Sequence, residues 1–240
     1  MIYLTGDTHR TVNIEKLKPS HFKIQKKLTK EDYLIICGDF GGVWDKSKIS
    51  QQCIEFHNTR NYTTLFVDGN HENFDLLNSY PVTKWKGGKV HQVAEHVYHL
   101  MRGQVFDIDG LKFFTMGGGI SVDKEFRMPG RTWWPQEDLS CEEIEEAIKN
   151  LDQHDWKVDY ILTHTASNRM MKECFGFQKE ESRINEFFDM IQMRLEYKWW
   201  FFGHFHEDEV YEAQRCTCLF NQIMRLDQLN TSILFEDSEF

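Results

Sequence analysis

Five times along the chain a short apolar run breaks off and hands over to a residue able to bind a metal. "IYLTGDTH" leads to Asp7 and His9, and "YLIICGDF" to Asp39. "TLFVDGNHE" leads to Asn70, His71 and Glu72, "YILTH" to His164, and "WFFGHFH" to His204 and His206. The runs are four to five residues long and rich in β-branched or aromatic side chains. They are too short for helices and read as buried strands. Where strands run parallel, their carboxyl ends collect along one sheet edge, and sites form in the crevice beyond it. The pattern therefore predicts that Asp7, His9, Asp39, Asn70, His164, His204 and His206 converge.

Helical spacing fills the stretches between. "SCEEIEEAIKNLDQH" places Ser140 three residues before Glu143, a capping box, and then repeats Ile144, Ile148 and Leu151. "RINEFFDMIQMRLEY" repeats Ile184, Phe187, Phe188, Ile191 and Leu195, and "ISQQCIEFHNTR" repeats Ile49, Cys53 and Phe56. Asn73 and Asp75 read as helix-start residues. Asp109-Gly110 between two apolar runs signals a hairpin, and the tail from Val210 offers further short strands. The expected fold is a layered α/β protein with mixed strand directions. No linker or repeat divides it, so the expectation is a single domain over residues 1–240.

Composition narrows the function. The formal net charge is -10, which argues against a broad basic face for nucleic acid. It leaves room for a phosphorylated substrate, because metal ions supply local positive charge. No run approaches the ~20 apolar residues that span a bilayer, and "MIYLTGDTH" lacks the apolar segment of a signal peptide. The six cysteines (37, 53, 141, 174, 216 and 218) are scattered. The reading is reduced thiols in a cytoplasmic protein without membrane attachment. Cys216-x-Cys218 has no second pair and is weak evidence for zinc.

Four histidines, two aspartates and one asparagine suffice for two adjacent divalent ions. A nitrogen and oxygen donor set suits Mn, Fe or Zn, with Mn favoured here. Two such ions ~3.5–4 Å apart clamp a phosphate and lower the pKa of a bound water.

In order along residues 5–206, "GDTH", "GDF", "GNHE", "TH" and "GHFH" resemble the signature of the calcineurin-like metallophosphoesterases. The resemblance implies a two-sheet mixed β-sandwich flanked by helices, with a metal pair at the strand ends. It implies that Asp7, His9 and His206 hold one ion, that Asn70, His164 and His204 hold the other, and that Asp39 bridges them. It casts His71 as a catalytic residue beside the phosphate rather than a ligand. The implied reaction is hydrolysis of a phosphate ester by direct attack of a metal-bound hydroxide. Phe205, between two ligands, should point away from the site, as alternation in an extended turn requires.

Three positions depart from the protein serine/threonine phosphatases of this superfamily. Gly42 and Val43 stand where those enzymes carry an Asp-Arg pair, and Arg10 replaces a glycine. The reading therefore leans to a phosphodiester or a small phosphorylated metabolite as substrate. A phosphoprotein phosphatase and a catalytically silent metal-binding scaffold are the alternatives. Arg10 is either a phosphate contact or an exposed turn residue. "GGGIS" (117–121) is placed to pass near the metals. Arg127 and Arg131 are candidate phosphate contacts. Trp133 and Trp134 either stack on a base or anchor the following helix. Glu72 is expected to orient a ligand or cap a helix. His21, His57, His91, His96, His99 and His154 receive no role, and nothing in the sequence sets the oligomeric state.

Overall fold

Every residue of Tyr33–Cys37 is buried, yet the side chains leave the strand on two sides. Tyr33, Ile35 and Cys37 enter a core between two sheets, while Leu34 and Ile36 pack under helices on the outer face. That division explains why the runs are continuously apolar rather than alternating: both faces are covered.

The computed structural model describes residues 1–176 and 182–229. The first sheet contains β1 (Ile2–Thr5), β2 (Tyr33–Cys37), β3 (Thr63–Val67), β4 (Val82–Trp85), β5 (Gly88–Ala94) and β6 (Val97–Leu100). Their spatial order is β1-β2-β3-β6-β5-β4, and Met224–Arg225 pairs along the free edge of β1. The second sheet contains β7 (Gln104–Ile108), β8 (Leu111–Met116), β9 (Tyr160–Thr163), β10 (Trp199–Phe202), β11 (Glu209–Tyr211) and β12 (Cys216–Cys218), ordered β11-β12-β10-β9-β8-β7. In each sheet the central strands are parallel: β1, β2 and β3 in one, β8, β9, β10 and β12 in the other. Hairpin partners such as β7 on β8 are antiparallel, turning at Asp109-Gly110 with φ of 56° and 81°. This is the two-sheet mixed sandwich flanked by helices.

The helices of the described chain begin with α1 (Lys48–Asn58), α2 (Phe74–Leu77), α3 (Cys141–Asp152) and the single turn α4 (Asn168–Met170). A wider turn continues α4 through Phe175, and α5 is Arg183–Arg194. The Ser140–Glu143 capping box forms as expected, and Asn73 caps α2 by accepting the amide of Leu76. Ala147, Leu151, Ile184, Phe188 and Ile191 cover the second sheet. One expectation fails: Ile49, read as part of the apolar stripe of α1, is 52% exposed. It lies in the first turn of α1, where it lines a cleft with Trp44 instead of joining the core. No helix among the described residues is long and apolar enough to cross a membrane, and the residues beyond Leu229 lie outside the described part.

Candidate metal centre

The five loops that follow β1, β2, β3, β9 and β10 meet at one edge of the sandwich, and their backbones interlock. The amides of Thr8 and His9 donate to the Asp39 carbonyl at 3.0 and 2.8 Å, and Gly203 donates to the His164 carbonyl at 2.9 Å. The packing leaves no room for side chains at the glycines. A Cβ on Gly69 would lie 2.2 Å from Asp39 Oδ1, and one on Gly203 would lie 2.3 Å from Asp7 Oδ2. The polar residues themselves carry strain. Asp7, His9, Asp39, His204 and His206 all have φ between 39° and 72°, a region costing non-glycine residues on the order of 1–3 kcal/mol each. Strain of this kind persists where the surroundings over-determine a site. It also corrects the expected reason for Phe205 turning away. Left-handed residues on either side, not the alternation of an extended turn, send that ring onto Phe175, with centroids 4.4 Å apart.

The candidate ligands come together. Asp39 Oδ2 lies 3.0 Å from His9 Nε2, and Asp39 Oδ1 lies 3.3 Å from His164 Nε2. His164 Nε2 also faces Asn70 Oδ1 at 3.1 Å and His204 Nδ1 at 3.2 Å. His206 Nε2 is 3.8 Å from Asp7 Oδ1. Three groups place ligand atoms within 4.8 Å of one another: Asp7, His9 and His206; Asp7, Asp39 and His164; and His9, Asp39 and His71.

Outer partners set the direction of three candidate ligands. His164 Nδ1–H donates to the Cys37 carbonyl at 3.0 Å, and His9 Nδ1–H to Asn13 Oδ1 at 2.9 Å. Asn70 Nδ2 donates to Ser121 Oγ, whose amide donates to buried Glu137 at 2.8 Å. In the neutral rings, the remaining Nε2 lone pairs and Asn70 Oδ1 point at one another and at carboxylate oxygens. Acceptors facing acceptors in a buried cluster require a proton or a cation between them. The donor set of imidazole, carboxylate and amide oxygen fits divalent ions.

Protons fill that role in the metal-free protein. Burial pushes the Asp7 carboxyl up to about 7, opposed by His164 and reinforced by Asp39. Burial would also raise Asp39, but the charge and hydrogen bond of His164 outweigh it and hold Asp39 well below the usual range. Burial works against protonated His164 and His9, yet Asp39 prevails and raises both. Burial takes His204 down to about 3 and lowers His71. A divalent ion bound here would therefore displace protons from Asp7 and His164. Between pH 6 and 8 its affinity is expected to rise with pH, by about tenfold per unit for each proton expelled. Calorimetric titration with Mn²⁺ in two buffers of different ionisation enthalpy counts those protons. Affinity that stays flat across this range would contradict the displacement.

The other candidate residues meet different fates. The glycine run reaches the centre, since a Cβ on Gly119 would lie 3.5 Å from Asn70 Oδ1. Arg10 lines the cleft beside the centre and pairs with Asp45 at 3.4 Å. Arg127 pairs with Asp123 at 2.7 Å, and Arg131 is exposed. Trp134 is buried and donates to Asp75 Oδ2 at 2.9 Å, so it anchors structure and is not open to a base. Glu72 does not take the expected cap of α2, which Asn73 provides; its Oε1 accepts the amide of Gly41 at 3.1 Å.

Three buried charged residues near the site were not singled out by sequence. Lys16 donates to the carbonyls of Gly6, Asp7 and Phe220 beneath the first loop. Asp68, at the mouth of the Asn70 loop, accepts from Arg102 Nε and Nη2 at 2.9 and 2.6 Å. Asp68 Oδ1 faces His99 Nε2 at 2.9 Å. Arg102 reaches on to the Gln136 and Asp138 carbonyls and Glu143, and the Asp68 carbonyl accepts from Gly118. The available signal was a carboxylate directly after the apolar run Leu65–Val67, which demands a counter-charge once buried. Arg102→Met strands that carboxylate and is expected to cost about 3–5 kcal/mol in urea unfolding. Pairing it with Asp68→Asn should recover part of the loss. A loss under about 1 kcal/mol would show that the ion pair does not hold this loop.

Comparison with known proteins adds the family. A family model described as calcineurin-like phosphoesterase matches residues 1–208. The lariat debranching enzyme of Schizosaccharomyces pombe is 24% identical over 207 residues, covering 74% of this chain and 43% of that protein. The chain thus spans less than half of the curated relative it matches. Among solved structures, a Staphylococcus aureus protein provisionally named a 5′-nucleotidase aligns with a TM-score of 0.48 and 14% identity, over 91% of this chain and 48% of that one. A phosphopantetheinyl hydrolase from Mycobacterium tuberculosis aligns with a TM-score of 0.46 and 14% identity, over 91% and 89%.

Proposed function

The chain belongs to the calcineurin-like phosphoesterase family, and on that premise we propose that it hydrolyses a phosphate ester at a centre of two divalent metal ions. The observation that carries the reading is the cluster in which His164 Nε2, Asn70 Oδ1, His204 Nδ1 and Asp39 Oδ1 face one another. Asp7, His9 and His206 would hold one ion, Asn70, His164 and His204 the other, and Asp39 would serve both. Bound there, such ions would supply charge neutralisation for the phosphate and a water of lowered pKa for hydrolysis.

The chain's own groups do the rest. His9 and His164 keep their lone pairs aimed inward because Asn13 and the Cys37 carbonyl hold their Nδ1 protons. The His71 amide donates to Asp39 Oδ1 at 2.8 Å, and its ring stands edge-on to His9 with centroids 5.0 Å apart. From there His71 protonates the leaving oxygen or stabilises charge on the phosphate. A second reading makes His71 itself a ligand, because its ring nitrogen groups with His9 and Asp39.

Gly42 and Val43 replace the Asp-Arg pair of the protein phosphatases, which favours a phosphodiester or a small phosphorylated metabolite over a phosphoprotein. Mn²⁺ is the preferred ion, with Fe and Zn also compatible with the donors. The free cysteines support a reducing, cytoplasmic setting. The debranching named for the relative is not carried over, because the match covers 43% of that protein.

The test is hydrolysis of a chromogenic monoester and diester by metal-free and Mn²⁺-loaded protein. Metal-dependent turnover is expected, and the monoester-to-diester ratio chooses between a small phosphorylated metabolite and a phosphodiester. Two ions bound per chain with no turnover on either ester would move the reading to a metal-binding scaffold. Faster turnover of phosphopeptides than of diesters would move it to a phosphoprotein phosphatase.

A further inference from the structure

Beside the centre, His71 and His206 open onto a cleft of about 610 Å³. Its walls are unlike those expected of a polyanion channel. Apart from histidines, Arg10 is the one cationic side chain among the described residues that line it, while Val12, Trp44 and Ile49 supply apolar surface. Val12 is 74% exposed and Ile49 52% exposed. Apolar side chains scattered singly over a surface need no explanation. Two of them beside a tryptophan, around one opening onto a metal centre, form a concave apolar wall of the kind that takes a ligand.

The wall is held in place. The Trp44 carbonyl accepts from Asn73 Nδ2 at 2.8 Å. The Trp44 ring meets Trp134 edge-to-face, with centroids 5.5 Å apart and planes at 83°. Trp134 is in turn buried and tied to Asp75. Ile49 rides on the first turn of α1, which Ser47 caps by accepting the Ser50 amide. Arg10 is anchored at its backbone, whose amide donates to the Phe40 carbonyl at 3.0 Å, and its guanidinium lies 3.4 Å from Asp45. A surface so organised loses little side-chain freedom on binding.

We infer that Val12, Trp44 and Ile49 form a specificity wall that selects small phosphate esters carrying a flat, apolar group, with Arg10 taking an ester oxygen. The inference rests on the proposed phosphate-binding metal centre. It predicts discrimination by the far group of the ester, whereas a centre reading phosphate alone would be indifferent to it.

Non-hydrolysable ligands separate binding from turnover. Affinities of inorganic phosphate, methylphosphonate and phenylphosphonate would be measured by calorimetry on Mn²⁺-loaded protein. Phenylphosphonate is expected to bind roughly 10-fold tighter than methylphosphonate, from ring burial and stacking. Trp44→Ala should abolish that preference. Ile49→Ser, a change at an exposed position, should reduce it, and both variants should bind inorganic phosphate as the parent does. Equal affinities for the two phosphonates, or a preference that survives Trp44→Ala, would overturn the wall and leave the metal reading standing. Absence of binding by inorganic phosphate as well would overturn the metal reading, and the wall with it.

Discussion

Replacing Asp39 with asparagine is expected to strip bound metal and reduce hydrolysis by about 10³-fold or more, the scale of losing metal-assisted charge stabilisation. The reason is position. Asp39 Oδ2 faces His9 and Oδ1 faces His164, so its two oxygens look toward the two halves of the cluster. It belongs to two of the three groups able to hold an ion. The asparagine would remove one negative charge and replace one oxygen with an NH₂ donor. Either replacement leaves one histidine lone pair without its cation-sharing neighbour. Backbone geometry should survive, because the Asp39 loop is tied by main-chain bonds to Thr8 and His9. Metal content after gel filtration, hydrolysis rate and far-UV circular dichroism together make the test. A folded variant that still carries two ions, or retains a tenth of the activity, would show that Asp39 is not the shared ligand.

The second large effect concerns His71. His71→Ala is expected to keep both ions and lose about 10²–10⁴-fold in kcat, the range for a lost acid–base group. The side chain lines the cleft, and the link to Asp39 runs through the backbone amide, which alanine retains. Burial lowers the His71 pKa, with Asp39 pulling the other way and His9 adding to the fall. The ring is therefore mostly neutral at pH 7 in the metal-free protein, so the proposed acid role requires that it take up a proton when the anionic ester binds beside it. This substitution also decides between the two readings of the site. Loss of an ion from His71→Ala would make His9, Asp39 and His71 a true ligand group and remove the acid role.

Much of the architecture was legible because its signals are local. A buried strand between covered faces needs a continuous apolar run, so β1, β2, β3, β9 and β10 announce themselves by composition. The Ser140–Glu143 box and the Asp109-Gly110 turn are equally local, and both form where expected. The metal-type residues were legible for the same reason: each sits one to four positions past a strand end. Trp134 and Ile49 show the limit. Both are large apolar residues near a helix start, yet one is 2% and the other 52% exposed. Nothing within a few residues of either tells which neighbour arrives to cover it.

Sequence by itself determined which residue types stand at the strand ends, because that depends only on chain position and strand direction. Tertiary structure alone decided which of them meet. The His204 amide donates to Asp7 across 197 positions of chain, a contact set by the order in which strands join their sheets. It also decided that Asp7, His9, Asp39, His204 and His206 adopt left-handed backbone, which no local preference of aspartate or histidine requires. And it supplied Arg102 to Asp68 from 34 residues away. Charge compensation, strain and shared ligation act through space, and their partners are named only when the sheets close.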